Sequence, residues 1–498
     1  MSKFGQLLGF DPEKKQTNVR TEIVAGIVTF LAMCYILTVN PNQILYAGVF
    51  DPRWSSIFMA TAFGAIIGTL LMAFLSKMPL AQASGMGLNS LVGTIIGGGV
   101  GAFSTYVFEF TIGQAMMMVL ISGIIFLLLS TIKIKGKSFR ELIFDGMPVS
   151  VRSAISVGIG LFIAFIGFQN AKVIQDNPYT LLQLVDFTKF DISAANAAVC
   201  LLGLFIITVL DQLKVKGSVI IGILGATIIG IPLGVTDLSV ISGNVPGISW
   251  AFWDNFSNFF AVGEGSVFGS FTEVFTVGFP AGSLFTVIML IITMCMIDMF
   301  DTMGTIVGCC GGNRILSDEN NKPHNYGKIM VADSVATCAG AMLGTSTVTT
   351  FVESGAGVSA GGRTGLTAFT TAVLFFIAIF AMPVFATIPS AATASALVYV
   401  GVLMMKNNIK SVDFSNAINA TTAFLTIAVM LLSYSITKGI GIGMVTYTVL
   451  SAIAWVIKSI AYACKKDKAN AVKPVWDLSV VAIIVTVLFL VYFFVPVA

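Results

Sequence analysis

The sequence predicts an all-α polytopic membrane protein built as a 7+7 inverted repeat, and three observations carry that prediction. Of 498 residues, 56% are hydrophobic and only 10% charged, far too apolar a balance for a soluble multidomain protein. Apolar runs of about 20 residues, the length a spanning helix needs, recur from Thr21 to Ala498 with no polar stretch long enough for a separate soluble domain. Short similarities also recur in the same order in the two halves, with positive charge placed so that the halves enter the membrane from opposite sides.

Residues 1–20, MSKFGQLLGFDPEKKQTNVR, are polar, and the run after them lacks a small-residue cleavage site, so a cytoplasmic N-terminus is expected rather than a signal peptide. The first repeat, 21–235, holds apolar runs at 21–39, 55–76, 80–98, 112–133, 150–169, 193–212 and 217–235. An acidic, aromatic connection follows at 236–283, with Asp237, Asp254, Glu264, Glu273, Trp250 and Trp253. No Lys or Arg lies between Lys216 and Arg314, so the connection is expected outside the cell or periplasmic. The second repeat, 284–463, holds runs at 284–308, 329–344, 345–362, 366–387, 389–405, 416–434 and 439–461. Residues 464–498 add a basic loop, Lys465, Lys466, Lys468 and Lys473, and a hydrophobic run from about Val475 to Val495 that is a candidate additional span.

Lys14, Lys15 and Arg20, then Lys133, Lys135, Lys137 and Arg140, then Lys214 and Lys216, then Arg314, Lys322 and Lys328 mark cytoplasmic ends. DISAANAA from Asp191 resembles DFSNAINA from Asp413, and the pair Lys216–Gly217 recurs as Lys438–Gly439 at the same separation. Pro148 and Gly160 likewise find Pro389 and Gly401. Because Lys216 should face the cytoplasm and Lys438 the outside, the halves are expected to be inverted, an arrangement typical of secondary transporters with a midplane site.

The segment Gly344–Gly365, GTSTVTTFVESGAGVSAGGRTG, puts one carboxylate, Glu353, among small residues between long apolar runs. A carboxylate at membrane depth is expensive and by default functional. The Gly and Thr/Ser content weakens helical pairing, and irregular backbone is tolerated there only when protein buries it or it lines a cavity. The bland alternative is a close helix crossing with Glu353 at a helix end. Repeat logic pairs this segment with LAQASGMGLNSLVGTIIGGG, residues 80–99, interrupted by Gly85 and Gly87 and carrying Asn89; its alternative is a tightly packed helix whose Asn89 bonds a neighbour. In MLIITMCMIDMFDTMGTIVG, Asp298 and Asp301 stand three residues apart with Thr305 one turn on. Two carboxylates so close in a dry cavity make natural candidates for proton coupling, a role shared with Glu353. A structural role is the alternative for both, and weighs more for Asp298 than for Asp301. Ser354 and Gly87, beside these positions, complete the expected substrate-binding set of Glu353, Asn89, Asp301, Ser354 and Gly87.

His324 sits in the polar loop NKPHNYGK, and Arg363 in GGRTG is expected chiefly to cap the end of the Glu353 segment. The seven cysteines show no metal-ligand spacing and read as small buried hydrophobes. No nucleophile with a base, metal cluster or cofactor motif marks an enzyme, and no basic face suits nucleic acid.

The pieces QASGMGLN (82–89), IDMFDTMGT (297–305), ADSVAT (332–337) and above all GTSTVTTFVESGAGVSAGGRTGLTA (344–368) resemble the AzgA-like purine permeases, carriers of guanine, hypoxanthine and adenine in the nucleobase/ascorbate (nucleobase:cation symporter) transporter superfamily. The resemblance runs over essentially the whole chain. It implies a uracil-transporter-like fold of fourteen spans with core and gate domains, strand-like breaks in the third and tenth spans, and purine bound between them. It further implies that Asn89, Asp301 and Glu353 are critical for transport, with Asp298 beside them. Related uracil and xanthine carriers hold the base with Gln or Glu at the Glu353 position, in an otherwise different motif. The C-terminal run departs from a fourteen-span count. The expected function is purine import by proton symport in the cell membrane, with guanine and hypoxanthine favoured, adenine open, and no cofactor beyond the coupling proton. The expected partners are the base and the bilayer, with a homodimer left open. An anion carrier or channel of the same inverted-repeat fold is the competing reading, and the buried acids argue against it.

Overall fold

The apolar runs fold as helices, and the two Gly-rich runs are broken by short strands. The structure is a computed structural model that describes residues 3–45, 48–96, 110–134, 137–138, 140, 149–177, 179–215, 217–242, 248–260, 274–275, 278–280, 282–310, 315–317, 323–464, 476 and 478–494. Lys135, Lys216, Glu264, Glu273, Arg314, Lys322 and the basic loop at Lys465, Lys466, Lys468 and Lys473 lie outside the described residues.

The first run becomes two helices, α1 (Val19–Met33) and α2 (Ile36–Ile44), with Cys34 and Tyr35 between them. There follow α3 (Trp54–Leu71), strand β1 (Gln82–Ser84), α4 (Met86–Ile95), α5 (Ile112–Thr131), α6 (Val149–Asn170), α7 (Ile192–Gln212) and α8 (Ser218–Gly230). The second half supplies α9 (Leu284–Cys310), α10 (Tyr326–Leu343), strand β2 (Val348–Thr350), the short α11 (Ser354–Ser359), α12 (Gly365–Ile379), α13 (Ser390–Asn408), α14 (Ala417–Leu432) and α15 (Ile436–Cys464). The C-terminal run is helical as well, α16 (Val480–Phe494). Among the described residues, seven helices are long and apolar enough to cross a membrane, and six shorter apolar helices accompany them.

Side-chain caps mark the helix starts. Asn18 accepts from the Thr21 amide at 2.9 Å, Asp191 from Ala194 at 2.9 Å, and Thr111 forms a capping box with Gln114 ahead of α5. In the connection, the amphipathic helix Phe252–Phe260 lays Phe259 against Phe63 at 5.6 Å while Trp253 stays 75% exposed.

The chain forms two compact units, Met1–Lys133 with Ile163–Val400, and Ile134–Phe162 with Gly401–Ala498. Each draws on both halves of the sequence. In the second unit α14 and α15 pack closely where Gly439 and Gly443 of α15 lie against Met430 and Thr426 of α14. There α16 docks on α15, with a Thr448–Thr486 hydroxyl bond of 2.7 Å.

At the centre of the first unit β1 and β2 pair antiparallel, Gln82 with Thr350, Ala83 with Thr349 and Ser84 with Val348. Thr347, Val348, Thr349 and Thr350 are all β-branched, which favours extended backbone there. Gln82, Ala83 and Ser84 have no such preference, so β1 is held extended by its partner. The ladder continues past the strands, with Phe351 donating to the Ala81 carbonyl at 3.0 Å and Gly85 to the Thr347 carbonyl at 2.9 Å. Two interrupted spans thereby satisfy each other's backbone, which makes non-helical chain affordable at membrane depth. Room for the sheet comes from glycines on neighbouring helices. A Cβ at Gly340 would sit 2.5 Å from Val348, and one at Gly68 would sit 2.8 Å from Val348 and from Gln82.

Candidate functional site

Each strand turns directly into a short helix, β1 into α4 through Gly85 and β2 into α11 through Phe351, Val352 and Glu353. Glu353 stands at the N-terminus of α11, buried, and its Oε1 accepts a 2.5 Å hydrogen bond from the Tyr35 hydroxyl. Its Oε2 is buried without a hydrogen-bond partner among the described residues. Tyr35 itself is fully buried at the break between α1 and α2, with its hydroxyl 3.8 Å from the sulfur of Met86, the first residue of α4. Three interrupted spans therefore meet at one carboxylate.

Ser354, next in the chain, turns its hydroxyl to the other strand. Its Oγ accepts from the Ala81 amide at 3.0 Å and lies 3.3 Å from the Ala81 carbonyl, so it clamps β1 to the start of α11. Asn89 does the equivalent work from α4. Its amide reaches the Ser84 carbonyl at 3.4 Å, and its Oδ1 accepts from the Ser346 hydroxyl. Gly87 is buried in the first turn of α4.

Asp298 and Asp301, about 60° apart around α9, face different neighbours. Asp298 is fully buried and accepts from Thr337 of α10 at 3.3 Å, while Thr337 also bonds the Val348 carbonyl at 3.1 Å. Asp301 is less buried and points to the strand-to-helix turn, its Oδ2 3.7 Å from where a side chain on Gly85 would begin. The charges of Asp333 and Glu353 both bear on it. The structure thus gathers Asp301, Glu353, Gly87 and Asn89 around the two breaks and turns Asp298 toward the helix packing behind β2.

Several polar residues of this centre escaped the sequence reading. Tyr35 lies in the apolar run LAMCYIL, where nothing distinguishes it from a packing aromatic. Asp333, buried in α10, accepts from Gln82 at 3.1 Å and from Thr302 at 2.8 Å, and so ties β1 to α9. The criterion that singled out Glu353, a carboxylate inside an apolar run, applies to it equally. Glu22 is a third. It is fully buried in α1 and accepts from the amides of Arg363 at 3.0 Å and Thr364 at 3.3 Å and from the Thr367 hydroxyl at 2.6 Å. The Arg363 guanidinium instead donates to the carbonyls of Val358 at 2.6 Å and Gly362 at 2.8 Å, the expected cap on the Glu353 segment. His324 is exposed in its loop.

Glu22 therefore fixes the loop that leads out of the Glu353 segment. Glu22→Ala strands those donors, each at a cost of roughly 1–3 kcal/mol when buried. The thermal stability of detergent-solubilised Glu22→Ala is expected to fall clearly below wild type, and that of Glu22→Gln, which keeps an acceptor, to fall less.

Comparison with known proteins places this arrangement. The fold is shared with the transmembrane domain of the cyanobacterial bicarbonate transporter BicA, at TM-score 0.58 and 16% identity over 86% of this chain and 97% of that one. It is shared too with murine SLC26A9 in the inward-facing state, at TM-score 0.55 and 13% identity over 91% and 72% of the two chains. These likenesses establish an inverted-repeat transporter fold. Sequence relatives are nearer. A putative permease of Methanocaldococcus jannaschii, MJ0326, is 34% identical, with 89% of this chain and 91% of that protein covered. The Escherichia coli adenine permease AdeQ is 34% identical over 87% and 88%. The Bacillus subtilis guanine/hypoxanthine permease PbuO is 33% identical over 89% and 94%. The model of the permease family Xan_ur_permease matches residues 20–442. With that match and relatives of this identity along nearly its whole length, the chain is a multi-pass membrane transporter, not an enzyme, and belongs to the Xan_ur_permease family.

Proposed function

We propose that the protein imports purine nucleobases by proton symport, with guanine and hypoxanthine favoured over adenine. One observation carries the reading: a buried carboxylate, Glu353, stands where the broken spans meet, one oxygen held by Tyr35 and the other with no partner among the described residues. Such an oxygen is an acceptor that lacks a donor, and a purine edge supplies N–H groups. The relatives named as adenine and guanine/hypoxanthine permeases support the substrate class. The anion carriers share only the fold, and the acids Asp301 and Glu353 oppose an anion at this place.

In this mechanism the base binds between the start of α4 and the start of α11. Glu353 accepts from the base, while Asn89 and Ser354 keep the two breaks in shape. Asp301, beside the Gly85 turn, exchanges the proton as the protein alternates its access. If one proton accompanies each neutral base, a membrane potential contributes about 2.3 kcal/mol per 100 mV to accumulation. The Lys and Arg distribution supports a cytoplasmic N-terminus.

The test is uptake of radiolabelled guanine, hypoxanthine, adenine, uracil and sulfate into cells that lack their own nucleobase carriers, with and without a protonophore. Purine uptake that the protonophore abolishes is expected; sulfate uptake without purine uptake would favour an anion carrier. In the same assay Asn89→Ala is expected to lose far more activity than Ser90→Ala. Asn89 ties the first break to Ser346 across the sheet, whereas Ser90 bonds Gln43 at 3.1 Å and its own helix at Met86. Equal, mild losses at both positions would reduce Asn89 to a packing residue.

A further inference from the structure

The break in the first span brings to Glu353 a hydroxyl that lies outside the chain's motifs. Tyr35 is fully buried, so its phenol is held in place between the Glu353 carboxylate and the sulfur of Met86. A phenol has one proton to donate and keeps lone pairs to accept with. At 2.5 Å from Oε1, that proton is committed to the carboxylate. What remains at this point is Oε2, without a partner among the described residues, and the lone pairs of the phenol oxygen, all of them acceptors.

We propose that Tyr35 is a specificity-determining residue: by committing its proton to Glu353, it makes the base-facing edge acceptor-only, so that oxopurines are taken and adenine is disfavoured. The proposal rests on the purine reading above. Guanine offers N1–H and its 2-amino group to such an edge, and hypoxanthine offers N1–H. Adenine presents an acceptor at N1, which would face another acceptor and lose its hydrogen bond. A site built to pair a substrate N–H discriminates strongly against an analogue that lacks it, because its own polar groups are then left unpaired. Without the phenol, Oε1 is released, the carboxyl group can turn, and the one-sided edge is lost.

The experiment is competition by unlabelled guanine and adenine against labelled hypoxanthine uptake, in cells without their own nucleobase carriers. In wild type, adenine is expected to compete at least roughly tenfold less well than guanine, the fold-change that one hydrogen bond of about 1.4 kcal/mol represents. In Tyr35→Phe the gap should close by roughly that same factor. Replacing Tyr35 with 4-aminophenylalanine keeps a bond to Glu353 but adds a second N–H that Oε1 does not take, so a donor returns to the base-facing edge and the gap should close there too, which a merely structural role for Tyr35 would not produce. A wild type that adenine inhibits as strongly as guanine overturns the proposal, as does an unchanged ratio in Tyr35→Phe. Should Tyr35→Phe fail to reach the membrane, the 4-aminophenylalanine protein decides: a narrowed ratio supports the proposal, and the wild-type ratio overturns it. A wild type that takes up no purine at all would instead remove the reading on which the proposal rests, and the two failures are told apart in the same assay.

Discussion

Guanine uptake by Glu353→Gln is expected to be abolished or to fall steeply while the protein still reaches the membrane at the wild-type level. The swap is nearly isosteric, so packing at the head of α11 is kept. It replaces one acceptor oxygen with an amide donor, either beside the Tyr35 hydroxyl or toward the base. A charge-assisted hydrogen bond lost at such a place is worth roughly 1.5–3 kcal/mol, about a ten- to hundredfold loss of affinity. Immunoblots of membrane fractions separate the two effects, and wild-type guanine kinetics in this variant would remove Glu353 from the site.

Asp301→Asn is expected to separate exchange from accumulation. Asparagine mimics the protonated acid permanently, so binding and the movement of the loaded carrier survive while the proton-linked step is lost. Cells or vesicles carrying the variant should exchange internal for external labelled purine but no longer concentrate it. Asp298→Asn should be milder for coupling, because Asp298 bonds Thr337 in the packing behind β2. Concentrative, protonophore-sensitive uptake by Asp301→Asn would exclude it as the coupling residue. The same result together with an inactive Asp298→Asn would move the role one turn back along α9.

Both expectations depend on features that were legible in the sequence to different degrees. The spans were legible because the bilayer imposes a length and an apolar composition that short loops cannot hide. The breaks in the third and tenth spans were legible because Gly85, Gly87 and the Thr347–Thr350 run disfavour helix. The pairing of β1 with β2 was not, since register depends on which backbone groups meet in space. Glu353 and Asn89 stood out as polar groups in apolar company, but the hydroxyl facing Glu353 comes from a span more than three hundred residues earlier in the chain, through a tyrosine indistinguishable from a packing residue. Spacing also joined Asp298 and Asp301 as a close pair, whereas the rotation between them is enough to send one toward α10 and the other toward Gly85. Glu22 and Asp333 went unread because each stands in a run without the Gly and Thr/Ser content that marks the Glu353 segment, and their partners, Arg363 to Thr367 and Gln82 with Thr302, lie on distant segments.

The fold alone does not separate base carriers from anion carriers, since the structural neighbours include a bicarbonate transporter. The most direct test is counterflow in proteoliposomes of the purified protein, loaded in turn with guanine, sulfate or bicarbonate and presented with the same labelled solute outside. Transient accumulation of guanine by wild type, absent in Glu353→Gln, with no counterflow of sulfate or bicarbonate, is the result expected of a purine carrier that works through this carboxylate; counterflow of either anion without guanine would contradict it.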